Sequence, residues 1–320
     1  MLYKVDLKDR KILLELDLNS RQTASQIGRK VGLSKEVVNY RINNLVKNGF
    51  IKYFYITLNT LMLGYLHYKI YFKLQNVEPE KEKELIDYFV KNKNCIWLGT
   101  CRGNWDLAVS LLARSPSHFG RLYQQIINDY GKFFLEKNIL LIEKAPTFNR
   151  AYFQEKIQPI EFEYVEKEEI PKLDNIDKKI LSILSTNARM PFIDLMEKLK
   201  LTRDVATYRI KRLQKRGIIQ GFRTSFNLEK LGYSYYKVLF TFKNLNEKRE
   251  KEFISYCKLN RNIVQYIKLI GNWDVEIEFE VQNDTQLHNF LLDIRTKFSD
   301  IIRNSEQLLV YEKKLNYYPF

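Results

Sequence analysis

Apolar residues recur at helical spacing near the start of the chain and again past its midpoint. Ile12, Leu13 and Leu16 form one stripe, and Ile180, Leu181 and Leu184 form another. Asp6 and Asp174 stand where each helix needs an N-cap. Asn19-Ser20 and Asn187-Ala188 break the pattern. A short second helix follows in each place, from Thr23 to Val31 and from Pro191 to Leu199. Thr23 suits an N-cap and Pro191 suits a first-turn position. Gly32 ends the first of these helices. Ser34 or Thr202 caps a third helix that runs to Asn48 or Arg216, and Gly49 or Gly217 stops it from the C′ position. The apolar stretches beyond, FIKYFYITLN and IIQGFRTSFN, predict a wing hairpin. Three short helices, a tight turn before the third, and a β-wing describe a winged helix-turn-helix.

From Gly64 onward the pattern changes. YLHYKIYFKLQ is strand-like, EPEKEKELIDYFVKN reads as an amphipathic helix, and NCIWLGTC and WDLAVSLLA are two strands joined at Arg102-Gly103-Asn104. SPSHFGRLYQQIINDY is a helix, and a final strand runs from Phe133 to Lys144. The order βαββαβ predicts a ferredoxin-like sandwich, with helices on one face of an antiparallel sheet. The same order returns between Tyr233 and Lys314.

The two halves are copies. DRKILLELDLNSR aligns with DKKILSILSTNAR, VVNYRINNLVKNGFI with VATYRIKRLQKRGII, and LNTLMLGY with FNLEKLGY. GNWD occurs at Gly103–Asp106 and at Gly271–Asp274, and every pair is offset by 168 residues without a gap. The fold class is therefore α+β, as two tandem copies of a winged helix-turn-helix plus a ferredoxin-like βαββαβ domain. The expected boundaries are 1–58 and 59–152 in copy one, and 174–226 and 227–320 in copy two. Residues 153–173 join them with six Glu against three Lys. This joint reads either as an exposed acidic linker or as an extended strand packed across the junction, since IEFEYVE alternates apolar and acidic residues.

Charge changes the picture. The chain of 320 residues carries a formal net charge of +15. Residues 1–58 hold a net +6 and residues 174–226 a net +7, so the two helix-turn-helix segments carry nearly all of it. A surplus clustered on segments shaped to enter a DNA groove is the footprint of phosphate binding. Three cysteines without a CxxC, no apolar N-terminal leader and no apolar run near ~18–20 residues argue against disulfide scaffolding, zinc fingers, secretion and a membrane span. A soluble, reducing, cytoplasmic setting is expected, with no metal and no cofactor.

Val38, Ile42 and Leu45 (Ala206, Ile210 and Leu213 in copy two) fall at core spacing on the third helix. The opposite face presents Ser34, Lys35, Glu36, Asn39, Tyr40, Asn43 and Lys47 in copy one. In copy two it presents Thr202, Arg203, Asp204, Thr207, Tyr208, Lys211, Arg212 and Lys215. Asn can pair with adenine, Arg and Lys with guanine, and acids can accept from cytosine. For any single residue a merely solvated face is the competing reading. The copies differ in chemistry here, which predicts a pseudo-palindromic rather than a symmetric DNA site.

Each module resembles the Lrp/AsnC (feast/famine) family of prokaryotic transcriptional regulators. The matching residues are the opening DxxDxxIL, the NxR of Asn19–Arg21 and Asn187–Arg189, GLSKEVVNYRINNLVKNGFI from Gly32 to Ile51, the LGY after the wing, and the GNWD turn. In copy two Lys200 replaces the usual Gly. The resemblance implies a winged helix-turn-helix joined to an effector-binding βαββαβ domain that pairs sheet to sheet. It implies double-stranded DNA as partner, an effector of the amino-acid class, and further self-association. For a fused chain it implies a single-chain pseudodimer with recognition helices about one DNA turn, ~34 Å, apart. The family's effector region maps onto Thr100, Arg102, Gly103 and Asp106, with Lys268, Gly271 and Asp274 in copy two. The competing reading is structural: the glycines permit a tight turn and the aspartates brace its backbone.

Two rivals remain. The chain has no P-loop, GxGxxG or HExxH, and its three histidines have no histidine at their repeat equivalents, so it is expected not to be an enzyme. The siroheme decarboxylases resemble this chain in fold pattern and typically carry an HNY-type motif on a sheet strand. Here the corresponding strands read IVQYIKLIGNWD and CIWLGTCRGNWD. An architectural protein that compacts DNA with low specificity would share the same basic helices.

Overall fold

The computed structural model describes residues 3–153, 161–162, 170–316 and 318. Copy one opens with α1 (Leu7–Leu18), α2 (Ala24–Val31) and α3 (Lys35–Lys47). Asp6 caps α1 through a reciprocal box with Asp9, and Thr23 caps α2 through one with Gln26. Then follow β1 (Ile51–Leu58), β2 (Leu66–Leu74), α4 (Pro79–Lys91), β3 (Cys95–Arg102), β4 (Leu107–Ala113), α5 (Pro116–Tyr130) and β5 (Phe134–Lys144). Two short strands, β6 (Thr147–Phe148) and β7 (Glu161–Phe162), pair with each other. Copy two repeats the order as α6 (Asn175–Thr186), α7 (Phe192–Leu199), α8 (Arg203–Lys215), β8 (Ile219–Phe226), β9 (Ser234–Phe242), α9 (Glu247–Leu259), β10 (Ile263–Ile270), β11 (Val275–Val281), α10 (Asp284–Lys297) and β12 (Ile302–Leu315). Most of the acidic joint, residues 154–160 and 163–169, lies outside the described residues. Gly32 ends α2 at φ +67°, and Lys200 takes the same left-handed position at φ +53° after α7.

Pairing of the βαββαβ halves closes a barrel. The strands run β11-β9-β12-β3-β4-β2-β5-β10, and β10 pairs back onto β11. Each copy contributes four antiparallel strands. The two seams, β12 with β3 and β5 with β10, join one copy to the other. Helices α4 and α5 cover the outer face of one half through Phe72, Leu85, Phe89, Val109 and Ile126. Helices α9 and α10 cover the other through Phe240, Phe253, Ile277, Phe290 and Ile294. Inside the barrel sit Tyr71, Trp97, Trp105, Leu239, Ile267, Trp273 and Leu308, drawn from both copies.

The wing differs from the expected hairpin. FIKYFYITLN and IIQGFRTSFN each form one strand, and the strands pair with each other across the copies, from Ile51↔Phe226 to Leu58↔Ile219. FIKYFYITLN has no turn residue inside it, and the single Gly221 of IIQGFRTSFN lies within extended β8, so neither stretch folds back on itself. The exchange is reciprocal. Ile56 and Leu58 of β1 pack with Ile180, Leu184, Ile210 and Leu213 of the second helix-turn-helix. Phe226 of β8 packs with Ile12, Leu16, Ile42 and Leu45 of the first. Each helix-turn-helix core is completed by the other copy's strand.

The NxR motif locks the same junction. Arg21 donates to the Ala188 carbonyl at 2.5 Å, while Arg189 donates to the Gln22 carbonyl at 2.9 Å and to that of Ser20. The contact is isologous, as a two-fold arrangement requires. Burial, aided by the nearby Arg189 charge, lowers the Arg21 guanidinium to about 10.

A charged cluster lies at the barrel's centre. Lys69 and Lys237 occupy equivalent positions, and both ammonium groups meet the Glu276 carboxylate, at 2.5 and 2.6 Å. Tyr71 donates to the other Glu276 oxygen at 2.7 Å, and Lys237 also pairs with Glu278. All of Lys69, Lys237 and Glu276 are buried. Burial alone would raise the Glu276 carboxyl, but the Lys237 and Lys69 charges outweigh it and hold it at about 2. Copy one has Ala108 and Ser110 where copy two has Glu276 and Glu278.

Breaking a buried ion pair costs about 3–5 kcal/mol, because it strands a charge. Glu276→Gln should therefore lower the unfolding free energy by about that much in urea titrations, and a change below about 1 kcal/mol would contradict the assignment. The wild-type stability supplied by Glu276 is complete above the unfolded carboxyl pKa, ~4.3, and is lost as pH falls toward the folded value of about 2. Glu276→Gln should lack this acid-sensitive component.

Candidate nucleic-acid interface

The third helix of each copy owes its position to a cap, a core stripe and an ion pair. Ser34 Oγ accepts from the Val37 amide at 3.3 Å, and Thr202 Oγ1 from the Val205 amide at 3.4 Å. Val38, Ile42 and Leu45, with Ala206, Ile210 and Leu213, are buried as expected. Arg41 of α3 reaches back to Asp6 and Asp9 at 2.8 Å, and Arg209 of α8 reaches Asp174 at 2.6 Å and Asp177 at 2.9 Å. The DxxD opening thus does two jobs: its first acid caps the first helix and both acids grip the third. These arginines escaped the sequence reading. Their shared offset of 168 residues was the available signal.

The opposite face is open. Ser34, Lys35, Glu36, Asn39, Tyr40, Asn43 and Lys47 are all exposed on α3 or its cap. Thr202, Arg203, Asp204, Tyr208, Lys211 and Lys215 are exposed on α8 or its cap, and Thr207 is half-buried. Tyr40 and Tyr208 are 68% and 64% exposed, an unusual loss of apolar burial for two equivalent aromatic side chains. Arg212 departs from the rest. It donates to Asp177 at 2.6 Å, so the first-helix carboxylate draws it off the open face.

The GNWD turns are occupied by structure. A Cβ on Gly103 would stand 2.7 Å from the Leu308 side chain, and one on Gly271 would stand 2.5 Å from Leu140. Both glycines have positive φ, so the turn presses against the other copy's last strand as only glycine allows. Trp105 and Trp273 meet edge to face in the barrel at 5.6 Å. Asp106 accepts from the Leu74 amide at 2.8 Å, and Asp274 from the Phe242 amide at 2.7 Å. Thr100 is half-buried on β3 and pairs with Tyr311. Arg102 stacks its guanidinium 5.5 Å from the Tyr311 ring, and Lys268 pairs with Glu250 at 3.0 Å and Glu143 at 3.4 Å.

Comparison with known proteins bears on both readings. A winged helix-turn-helix DNA-binding family model matches residues 5–52 and again residues 173–220. The HTH-type transcriptional regulator FL11 of Pyrococcus furiosus is 30% identical over 119 residues, which are 37% of this chain and 78% of FL11. The regulator Ptr1 of Methanocaldococcus jannaschii is 31% identical over 121 residues, 38% of this chain and 80% of Ptr1. The crystal structure of the siroheme decarboxylase NirDL matches in fold over 97% of this chain and 93% of its own, with a TM-score of 0.64 at 14% identity. That match corrects one expectation. An enzyme is built on the same whole-chain arrangement, so the missing P-loop, GxGxxG and HExxH do not exclude catalysis here. By its doubled helix-turn-helix match and its regulator relatives, the chain belongs to the Lrp/AsnC family of DNA-binding transcriptional regulators, in internally duplicated form.

Proposed function

We propose that the protein acts as a single-chain pseudodimer, presenting α3 and α8 to the two halves of one pseudo-palindromic DNA site. The observation that carries this reading is the pair of open helix faces set on reciprocally exchanged cores. Because β1 and β8 pair with each other, the two faces are held in fixed relation. Lys35, Asn39 and Asn43 read one half-site, and Arg203, Thr207 and Lys211 read the other. Their different chemistry makes the half-sites unequal. Lys47 and Lys215 supply phosphate contacts. A small metabolite modulates binding.

Replacing Lys47 and Lys215 together with Ala should weaken DNA binding across sequences. It should also flatten the slope of log K against log salt by about 2. An unchanged slope would rule these residues out as contacts. A footprint that spreads without a boundary would favour the architectural alternative.

The whole-chain likeness to NirDL, also solved in co-complex with an iron-uroporphyrin III analogue, favours a second reading: decarboxylation of a tetrapyrrole. Anaerobic incubation of the purified chain with siroheme separates the two. Loss of carbon dioxide from siroheme by mass spectrometry supports catalysis. Unchanged siroheme beside specific DNA binding favours the regulator.

A further inference from the structure

A cavity of about 520 Å³ lies between the barrel's mouth and the β1–β8 ribbon. It sits on the approximate two-fold axis, since equivalent residues of both copies line it. His67 faces the place of Tyr235, Trp97 that of Gln265, and Ser110 that of Glu278. The volume is that of an ordinary small-molecule site, and barrel mouths commonly serve as such sites. A symmetric dimer would show every group twice. This chain shows one of each, so the cavity suits a ligand without two-fold symmetry.

The charges in the wall select the ligand's chemistry. Among the described residues, each basic group deep in the wall already faces an acid. Lys69 meets Glu276 at 2.5 Å, Arg150 meets Asp17 at 2.7 Å and Glu280 at 2.8 Å, and Arg223 lies 3.6 Å from Asp17. Glu312 is different. Its carboxyl accepts from the Trp97 indole N–H at 3.2 Å and makes no ion pair among the described residues. Burial raises its pKa. His67 keeps a buried Nε2 without a hydrogen-bond partner. Burial, reinforced by the Lys69 charge, lowers its imidazole to about 3, so the ring is neutral. Among the described residues, a carboxylate or phosphate entering this space would meet cations that already face an acid, apart from the exposed rim lysines Lys52 and Lys313. An N–H donor would find an acceptor, and a flat ring would find Trp97 and Tyr235.

We propose that this cavity binds one asymmetric aromatic or heteroaromatic amine, its N–H donors meeting Glu312 and its ring lying against Trp97 and Tyr235. The site is separate from the DNA-facing helices and stands whether or not those helices bind DNA. Titration calorimetry on the full chain tests it, with tryptamine and adenosine as amine probes and tryptophan and uroporphyrin III as carboxylate-bearing ones. Tryptamine or adenosine should bind once per chain at submillimolar concentration, and tryptophan at least about tenfold more weakly than tryptamine. Glu312→Gln keeps the shape and should weaken amine binding about tenfold or more. Gln220→Trp fills the mouth from the roof and should abolish binding while the thermal midpoint is retained. The proposal is overturned if neither amine binds at millimolar concentration. Uroporphyrin III binding in preference to the amines, or both variants binding like the wild type, would overturn it equally.

Discussion

Two lysines at equivalent positions share one carboxylate in the centre of the barrel, and the rest of the molecule follows from that. Copy one brings Lys69 and no acid. Copy two brings Lys237 with Glu276 and Glu278. Two copies of the first half would bury two unpaired ammonium groups, and two copies of the second would bury a carboxylate excess. Only the mixed pair is neutral. The cluster need not add net stability over an apolar core. It penalises wrong pairings, as unpaired buried charge does generally. A fused chain with this asymmetry folds onto itself rather than onto a second chain's like half.

Around that centre the copies are interlocked at a second level. The wings are exchanged, each helix-turn-helix core is completed in trans, and Arg21 and Arg189 each reach across to the other copy's backbone. The third helices are therefore anchored twice: by Arg41 and Arg209 within a copy, and by the paired strands between copies. Fusion also relaxes symmetry. Residues that would be duplicated in a homodimer can differ, and they do so on the third helices, in the barrel and around the cavity.

Much of this was legible in the sequence where local rules govern. The capping residues Asp6, Thr23, Ser34 and Thr202, the stop glycines Gly49 and Gly217, and the buried stripe of each third helix are set by interactions a few residues apart. What depended on contacts across 168 residues was not. β1 and β8 carry strand propensity but no partner in their own copy, so their pairing had to come from the other one. Arg212 looked like its exposed neighbours until Asp177 came within 2.6 Å. Lys69 and Glu276, 207 residues apart, carry no local sign of burial, because alternation along a strand cannot tell a barrel's interior from its exterior face. The GNWD turns were read both as ligand contacts and as structural devices, and their glycines pack against the other copy while their aspartates brace the backbone.

The central claim is that the two copies work as one unit. Hydroxyl-radical footprinting with a titrated protein-to-DNA ratio tests it directly. One chain per site should protect two unequal half-sites about one helical turn, ~10 base pairs, apart. Protection of a single half-site by each chain, or saturation only at two chains per pair of half-sites, would contradict it.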